Sequence, residues 1–290
     1  MDGELGCGSR ACSFDVAPEE FLLQAIGGEI VPLGSTVFRV PRRTFLQLGV
    51  ATAFALRFPL AQHPQKSDTP LVDQVPSMLD HILLGCSNLQ AGIAFVEQHT
   101  GVRAAFGGVH PGRGTQNALL SLVASTAQGA GRYLEIIAPD PQQSGGTSPL
   151  LDKLRQLPEP RLVGWAAHLR SDIAAYADKL KQAGIEATGP TPGSRKRPDG
   201  KELRWQTLTL KDDANGLLPF FIQWSADSVH PSADAPAGCQ LLRFELLTPD
   251  PSALAKLTAQ LSLEAPIAKA PAPQLHAVIQ GPKGTLSTSS

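Results

Sequence analysis

A strand–helix unit that occurs twice in the middle of the chain is the feature that most constrains its fold. A helix predicted over residues 89–99 follows Asn88 and ends near Gly101, and a helix predicted over residues 173–183 ends at Gly184 with matching spacing. A strand–helix pair near the C terminus echoes the pattern. Repetition of a unit this size predicts modules that pack side by side, because one small unit cannot bury both faces of its sheet.

Apolar periodicity places strands around these helices. In the first unit, strands are predicted over residues 79–86, 102–106, 117–123 and 132–138. In the second unit, they are predicted over residues 163–169, 202–210 and 219–224, with a Pro/Gly-rich arm before the middle one. A short helix is predicted over residues 149–156, and the last region gives strand, helix and strand over residues 241–247, 251–261 and 274–280. The sequence therefore predicts an α+β fold of paired βαβββ modules.

Composition along the chain divides it into five parts. They are a poorly defined N-terminal segment (1–41), a signal-like segment (42–61), a polar, proline-bearing linker (62–76), the paired modules (77–227, with modules 78–139 and 161–226) and a C-terminal extension (228–290). We expect the extension, which contains a strand and a helix, to add a partial third module.

Charge and cysteine content exclude several classes of protein. A net charge of −1 gives no electrostatic basis for binding nucleic acid or an acidic membrane surface. The four cysteines have neither CxxC nor zinc-ribbon spacing, so they imply no disulfide framework and no structural zinc. A Walker loop, a GxSxG elbow and an HExxH motif are absent from the sequence. We therefore expect a small-molecule ligand rather than a nucleic acid.

Residues 42–61 have the pattern of a twin-arginine export signal. Arg42 and Arg43 precede Phe45 and Leu46, and an apolar run that is too short to span a bilayer follows. The alternative is an amphipathic helix with a basic start, since the motif begins some forty residues into the chain and Arg57 interrupts the apolar run. The first interpretation predicts a periplasmic or exported protein, and the second leaves a cytoplasmic one.

Two strands carry the best candidates for a functional site. His81 lies in the first predicted strand, and Glu135 lies within the apolar run Tyr133-Leu134-Glu135-Ile136-Ile137. Because strand side chains alternate between faces, Glu135 points away from Leu134 and Ile136. A carboxylate in such a strand is costly unless it meets a ligand, a cation or a hydrogen-bond partner. We therefore place His81 and Glu135 together in one cleft as the catalytic pair.

A Gly-rich hairpin between these strands supplies further donors. His110, Arg113, Thr115 and Asn117 lie among Gly107, Gly108, Gly112 and Gly114, and are predicted to bind a ligand at the rim of the cleft. The alternative is a wide β-hairpin whose glycines only serve positive φ angles. The basic segment 194–200 is predicted to be a solvated loop or, alternatively, an arm over the cleft that contacts an acidic substrate.

The sequence resembles the vicinal oxygen chelate (glyoxalase/bleomycin resistance/extradiol dioxygenase) superfamily, and within it the glyoxalase-like domain proteins. The resemblance covers about residues 77–227. It is carried by Leu79-Asp80-His81, Gly107-Gly108-x-His110-Pro111-Gly112-x-Gly114-Thr115-x-Asn117, Tyr133-Leu134-Glu135, Arg197-Pro198-Asp199-Gly200 with Trp205, and Pro219-Phe220-Phe221-Ile222-x-Trp224. It implies a sheet curled around a cleft and, in members of known chemistry, a divalent metal that acts on substrates with adjacent oxygens.

The resemblance also implies metal ligands on the first and last strands of each module. In the first module these positions are His81 and Glu135. Aligning the two helices places Trp165 opposite His81, rather than His168, and Gln223 opposite Glu135. Trp165 and Gln223 are thus predicted on the other wall of the cleft as ligand-binding residues. Since a catalytic metal needs about three protein ligands, the pair either holds zinc, iron, manganese or nickel with His110 or acts as a metal-free acid–base pair.

Two functions from different classes remain. The first is a metal-assisted lyase, isomerase or dioxygenase-type enzyme that acts on a small oxygen-rich substrate. The second is a non-catalytic protein that binds a small molecule in the same cleft with a degenerate metal site. The sequence leaves open which of them applies, so it does not decide that the protein is an enzyme. It predicts no membrane span, is compatible with a homodimer, and names neither substrate nor reaction.

Overall fold

The computed structural model describes residues 75–123, 131–143, 148–197 and 199–290. In these residues four α-helices and twelve β-strands form an α+β fold, as predicted. The helices are α1 (Leu89–Thr100), α2 (Pro149–Gln156), α3 (Ile173–Gln182) and α4 (Pro251–Gln260). The strands are β1 (Leu79–Gly85), β2 (Ala105–His110), β3 (Thr115–Val123), β4 (Arg132–Pro139), β5 (Arg161–His168), β6 (Ala187–Lys196), β7 (Glu202–Leu210), β8 (Phe220–Trp224), β9 (Cys239–Thr248), β10 (Ile267–Lys269), β11 (Gln274–Gln280) and β12 (Thr285–Ser289).

The first module is β1-α1-β2-β3-β4. Strand β1 pairs in parallel with β4, β4 pairs with β3 in antiparallel fashion, and β3 pairs with β2. Helix α1 begins where the Asn88 side chain accepts a hydrogen bond from the Ala91 N–H, and it ends at Gly101, which has a φ of 81°. These local signals define the crossover that places β4 beside β1.

The second module, β5-α3-β6-β7-β8, has the same pairing. Strand β5 is parallel to β8, and β8, β7 and β6 follow as antiparallel neighbours. Strand β6 occupies the segment in which the sequence analysis expected only an arm. Strands β1 and β5 pair in antiparallel fashion and join the two modules into one sheet. The prediction of paired βαβββ modules is confirmed.

The outer strands of the two modules, β2 and β6, approach each other and curl the sheet around a cavity. The Arg195 side chain donates a hydrogen bond from β6 to the Gly107 carbonyl oxygen on β2. Gly108 allows this approach, because a Cβ atom there would lie 2.6 Å from the Lys196 carbonyl oxygen. Within the part of the chain that the structure describes, no strand ladder joins β2 to β6, so the sheet remains unclosed.

The C-terminal extension also has the order β-α-β-β-β, in β9-α4-β10-β11-β12, but its strands pair differently. Strand β9 is parallel to β10 on one side and antiparallel to β11 on the other, and its start pairs with the end of β3. The extension packs against the outer face of the modules. There Phe244 meets Trp165, and the Tyr176 hydroxyl donates to the Leu261 carbonyl oxygen at 2.8 Å. Modules and extension thus share one hydrophobic core.

Among the described helices, none has the length and apolarity needed to cross a bilayer. The signal-like segment 42–61 lies outside the described residues, so export stays a prediction.

Candidate functional site

A β-bulge near the start of β1 sets the geometry of the site. The antiparallel register with β5 shifts between Leu79, opposite Ala167, and His81, opposite Ala166. The extra residue, Asp80, breaks the alternation of the strand and lies on the same side as His81. As a result, the His81 Nδ1–H donates to Asp80 Oδ1 at 2.7 Å although the two residues are adjacent in sequence.

His81 and Glu135 lie together inside the cavity. The parallel ladder pairs His81 with Tyr133 and Leu83 with Glu135, so all four side chains lie on the inner face. His81 Nε2 lies 3.3 Å from Glu135 Oε2, and the imidazole ring stacks on Tyr133 with centroids 4.5 Å apart. The two ring nitrogens of His81 therefore each face a carboxylate, Asp80 on one side and Glu135 on the other.

The Gly-rich hairpin brings a second histidine and an amide to the same carboxylate. Asn117 Nδ2 donates to Glu135 Oε1 at 2.8 Å, and His110 Nε2 lies 3.8 Å from that oxygen. His110 Nδ1 contacts the Thr115 hydroxyl at 2.8 Å. The predicted site residues on β1, β4 and the hairpin are thus brought together.

Burial and charge set the protonation of this cluster. Burial would raise the pKa of Glu135, but the charges of His81 and His110 and the hydrogen bond from Asn117 outweigh it and hold that pKa below its usual value. Burial lowers the pKa of His110, an effect that Glu135 only partly opposes. At neutral pH the cavity therefore holds an ionised Glu135 beside a neutral His110.

The cavity around the cluster has a volume of about 470 Å³ and is lined by both polar and apolar side chains. Its apolar lining comes mainly from β8 and from Trp205 of β7. The lining residues are His81, Leu83, His110, Gly112, Arg113, Thr115, Asn117, Tyr133, Glu135, Ile137, Ser148, Pro149, Leu150, Arg195, Trp205, Thr207, Thr209, Phe220, Ile222 and Trp224. Six of the eight predicted site residues are among them, and Trp165 and Gln223 are not.

Trp165 lies in the hydrophobic core, contrary to the prediction. Its indole N–H donates to the Leu217 carbonyl oxygen at 2.8 Å and its ring packs against Phe244. Strand β1 ends at Gly85, three residues before the helix cap Asn88, and strand β5 ends at His168, four residues before the helix cap Asp172. Because this connection is one residue longer in the second module, aligning the helices moved the predicted position to the wrong face of β5. The residue equivalent to His81 is Gly164.

Gln223 also lies outside the cavity. Its side chain accepts a hydrogen bond from the Ile173 N–H at 3.2 Å and donates to the Ser171 carbonyl oxygen at 3.0 Å, where α3 begins. Its neighbours in β8, Ile222 and Trp224, occupy the inner face. The position equivalent to Glu135 is Phe220, since Ala166 pairs with Phe220 as Leu83 pairs with Glu135.

The metal centre implied by the resemblance does not fit these residues. In the second module, Gly164 and Phe220 stand where His81 and Glu135 stand in the first, and neither can bind a metal. In the first module, His81 Nε2 faces Glu135 at 3.3 Å instead of sharing a vacant centre with it, and His81 Nδ1 is bound to Asp80. Over the described residues, no three His, Cys, Asp or Glu side chains are arranged to hold a metal ion.

Asp80 is a site residue that the sequence analysis did not identify. It is buried, and its Oδ2 accepts a hydrogen bond from Trp224 Nε1 at 3.1 Å and lies 3.2 Å from His230 Nε2 and 3.4 Å from His168 Nδ1. Burial opposes its ionisation, but the contacts with His168, His230 and His81 lower the pKa of Asp80 well below its usual value. An acidic residue inside an apolar strand was the available signal.

Arg195 corrects the interpretation of the basic segment 194–200 as a solvated loop. It belongs to β6, is only 3% exposed and lines the cavity. Arg197 lies further out and pairs with Asp234 and Asp199. The segment therefore contributes one buried cation to the site.

Known families and solved structures include proteins that are similar to this chain. A family model described as a glyoxalase-like domain matches residues 79–262, which includes both modules and the start of the extension. A hypothetical protein from Staphylococcus aureus is similar in structure at 16% identity, over 73% of this chain and 84% of that one, with a TM-score of 0.48.

Two methylmalonyl-CoA epimerases are also similar. The Streptomyces coelicolor enzyme, solved with 2-nitronate-propionyl-CoA, is 21% identical over 51% of this chain and 98% of that one, with a TM-score of 0.39. The Mycobacterium tuberculosis enzyme is 20% identical over 52% of this chain and 89% of that one, with a TM-score of 0.36. A search of curated proteins gives no match.

Proposed function

The chain belongs to the glyoxalase-like domain family of the vicinal oxygen chelate superfamily, and we propose that it is an isomerase- or lyase-type enzyme that moves a proton on a small oxygen-bearing molecule. The observation that supports this most is the ionised Glu135 held against His81, beside a neutral His110, in a cavity of about 470 Å³. Perturbed ionisable groups that converge in a cavity are typical of acid–base sites.

Glu135 is the base in this proposal. Its carboxylate still has acceptor capacity after its contacts with His81 and Asn117, because two carboxylate oxygens offer about four lone-pair sites. The low pKa makes Glu135 a weak base, so the substrate must carry a C–H bond acidified by an adjacent carbonyl group. The proton passes from carbon to a Glu135 oxygen, and the electron pair moves onto the carbonyl oxygen as an enolate.

Arg113 is the group that polarises the substrate oxygen, because Asn117 Nδ2 is already within hydrogen-bond distance of Glu135 Oε1 and His110 Nε2. Asn117 lies beside Glu135, and Arg113 is exposed on the hairpin at the rim of the cavity. Donors aimed at a developing oxyanion stabilise it most when water is excluded. Return of the proton from Glu135 to the same carbon completes a hydrogen exchange. In a 2-hydroxy ketone, the hydroxyl proton moves to the oxyanion, and return of the Glu135 proton to the former carbonyl carbon then gives the isomer. His81, fixed by Asp80, keeps Glu135 in place.

Hydrogen exchange tests this proposal without knowledge of the natural substrate. Chelator-treated protein is incubated in D₂O with 2-hydroxy ketones, 2-oxo acids and 2-methyl-3-oxo thioesters, and loss of the acidic C–H signal is followed by NMR. We expect exchange with at least one class, and a loss of 10²-fold or more in Glu135→Gln, the scale of a general base. Glu245→Gln is the matched control, because Glu245 contacts His276 at 2.9 Å in the extension, away from the cavity.

A binding protein is the second candidate, and one observation favours it. Both oxygens of Glu135 and both ring nitrogens of His81 and of His110 already have a polar partner within the cluster. Saturable binding of a compound, with no hydrogen exchange in any of the three substrate classes, would support this candidate and contradict the proposed enzyme activity. Stoichiometric zinc, iron, manganese or nickel, with exchange lost on chelation, would contradict the metal-free mechanism.

A further inference from the structure

Arg195 is a buried cation without an anionic partner. Its side chain is 3% exposed, and its Nη1 donates to the Gly107 carbonyl oxygen across the gap between β6 and β2. Among the residues that the structure describes, no carboxylate lies within ion-pairing distance of it. A guanidinium group has five N–H donors, so one carbonyl oxygen leaves most of its capacity unused.

Glu135 compensates Arg195 only in part. Burial lowers the pKa of Arg195, and the negative charge of Glu135 opposes that change. Glu135 is already held by Asn117 at 2.8 Å and lies 3.3 Å from His81. A buried charge is costly unless an opposite charge and hydrogen bonds accompany it. Within the described residues, Arg195 therefore has the charge of Glu135 in the same cavity but no carboxylate that accepts its hydrogen bonds.

We infer that the cavity selects a molecule with a carboxylate, which Arg195 binds, and with an apolar body that packs against β8. The planar fork of a guanidinium group matches the two oxygens of a carboxylate. Phe220, Ile222 and Trp224 supply the apolar wall, and Arg113 adds positive charge at the rim. The inference rests on the proposed function, because it names the substrate class of the same cavity.

Three related probes separate the charge from the rest of the molecule. They are 2-oxo-4-phenylbutanoate, its uncharged methyl ester, and phenethyl phosphate, which tests the other common anionic group. Binding is followed by tryptophan fluorescence, since Trp205 and Trp224 line the cavity while the chain's third tryptophan, Trp165, lies in the core. We expect the wild-type protein to bind the acid at least tenfold more tightly than the ester.

Arg195→Met should weaken binding of the acid at least tenfold and leave the ester unchanged, which abolishes the preference. Arg195→Lys keeps the positive charge but loses the planar guanidinium group, and should give an intermediate preference for the acid over the ester. The same variant tests the inference if Arg195→Met does not fold. Arg204→Met removes an exposed arginine that pairs with Asp227 outside the cavity, and should change neither probe.

Equal binding of acid and ester by the wild-type protein, no binding of the acid, or equal losses of both probes in the folded Arg195 variants would overturn the inference. If the phosphate bound more tightly than the acid, the recognised group would be a phosphate and the inference of a carboxylate would be wrong. The outcome of the exchange assay distinguishes failure of this inference from failure of the proposed function. Ester exchange as fast as acid exchange would keep the enzyme and reject this inference, whereas Arg195-dependent binding without exchange would keep the inference and reject the enzyme.

Discussion

Replacing Asp80 with Asn should destabilise the protein and also disturb the site. The ionised carboxylate accepts from His81 at 2.7 Å and from Trp224 at 3.1 Å, and it lies 3.2 Å from His230 and 3.4 Å from His168. An amide of the same shape keeps one acceptor oxygen and turns an NH₂ group toward the remaining N–H donors. Asp80→Asn therefore removes both the charge and about half of the hydrogen bonds.

The magnitude follows from the burial of the group. Removing one partner of a buried charged network costs about 3–5 kcal/mol, because the remaining groups lose their compensation. For a folded unit of this size, each kcal/mol lowers Tm by about 2–4 °C, so a fall of about 6–20 °C is expected. The same change frees His81 from its anchor, and hydrogen exchange catalysed by Glu135 should fall with it.

The effect of Asp80 should depend on pH in a defined direction. The pKa of Asp80 lies below its usual value in the folded protein, so its contribution to stability is fully present above the unfolded pKa, near the ordinary value of 3.8. That contribution is lost as pH falls through the lower folded pKa. The difference in unfolding free energy between wild type and Asp80→Asn should therefore shrink as the pH falls below that ordinary value and through the lower folded pKa.

Urea unfolding measures this difference, with Asp227→Asn as the control. Asp227 pairs with Arg204, but its side chain is 62% exposed, and an exposed pair contributes less than about 1 kcal/mol. If Asp80→Asn were no more destabilising than Asp227→Asn, the carboxylate would not hold the network together. A difference that grew in acid would refute the argument about its ionisation.

Two further predictions concern the core and the gap between β2 and β6. Trp165→Ala should lower the free energy of unfolding by about 3–5 kcal/mol in urea titrations, because a fully buried ring is lost. The folded variant should bind the probes as the wild type does. Weakened binding without loss of stability would place Trp165 in the site. Gly108→Ala should cost more than Gly112→Ala by thermal denaturation. Both glycines have positive φ, but only at Gly108 would the new Cβ meet a backbone oxygen, that of Lys196 at 2.6 Å; equal losses would mean that close approach of the two strands is not required.

The predictable part of this protein is the part encoded in local periodicity. Alternation along two strands was enough to place His81 and Glu135 on one face, and the matched spacing of the two helices was enough to predict paired modules. The hairpin donors His110 and Asn117 followed from their position between those strands. In each case the signal lies within single strands, helices or hairpins and needs no knowledge of loop length.

The unpredicted part depends on single-residue departures from regularity. One additional residue between β5 and α3 moved Trp165 from the predicted cavity wall into the core, because a shift of one residue reverses the face of a strand. The bulge at Asp80 did the opposite and brought two sequence neighbours to one side. The segment of Arg195 was predicted to be a solvated loop or, alternatively, an arm over the cleft, and the burial of Arg195 depends on a contact with Gly107, 88 residues earlier.

These departures explain why a nearly symmetric fold encloses an asymmetric cavity. The first module contributes the polar floor around Glu135, whereas the second contributes an apolar wall, since Gly164 and Phe220 occupy the positions of His81 and Glu135. The second module's cationic contribution, Arg195, comes from its outermost strand rather than from the symmetry-related position. A ligand that satisfies both halves must be polar at one end and apolar along the other, so orientation in the cavity is set by the difference between the modules.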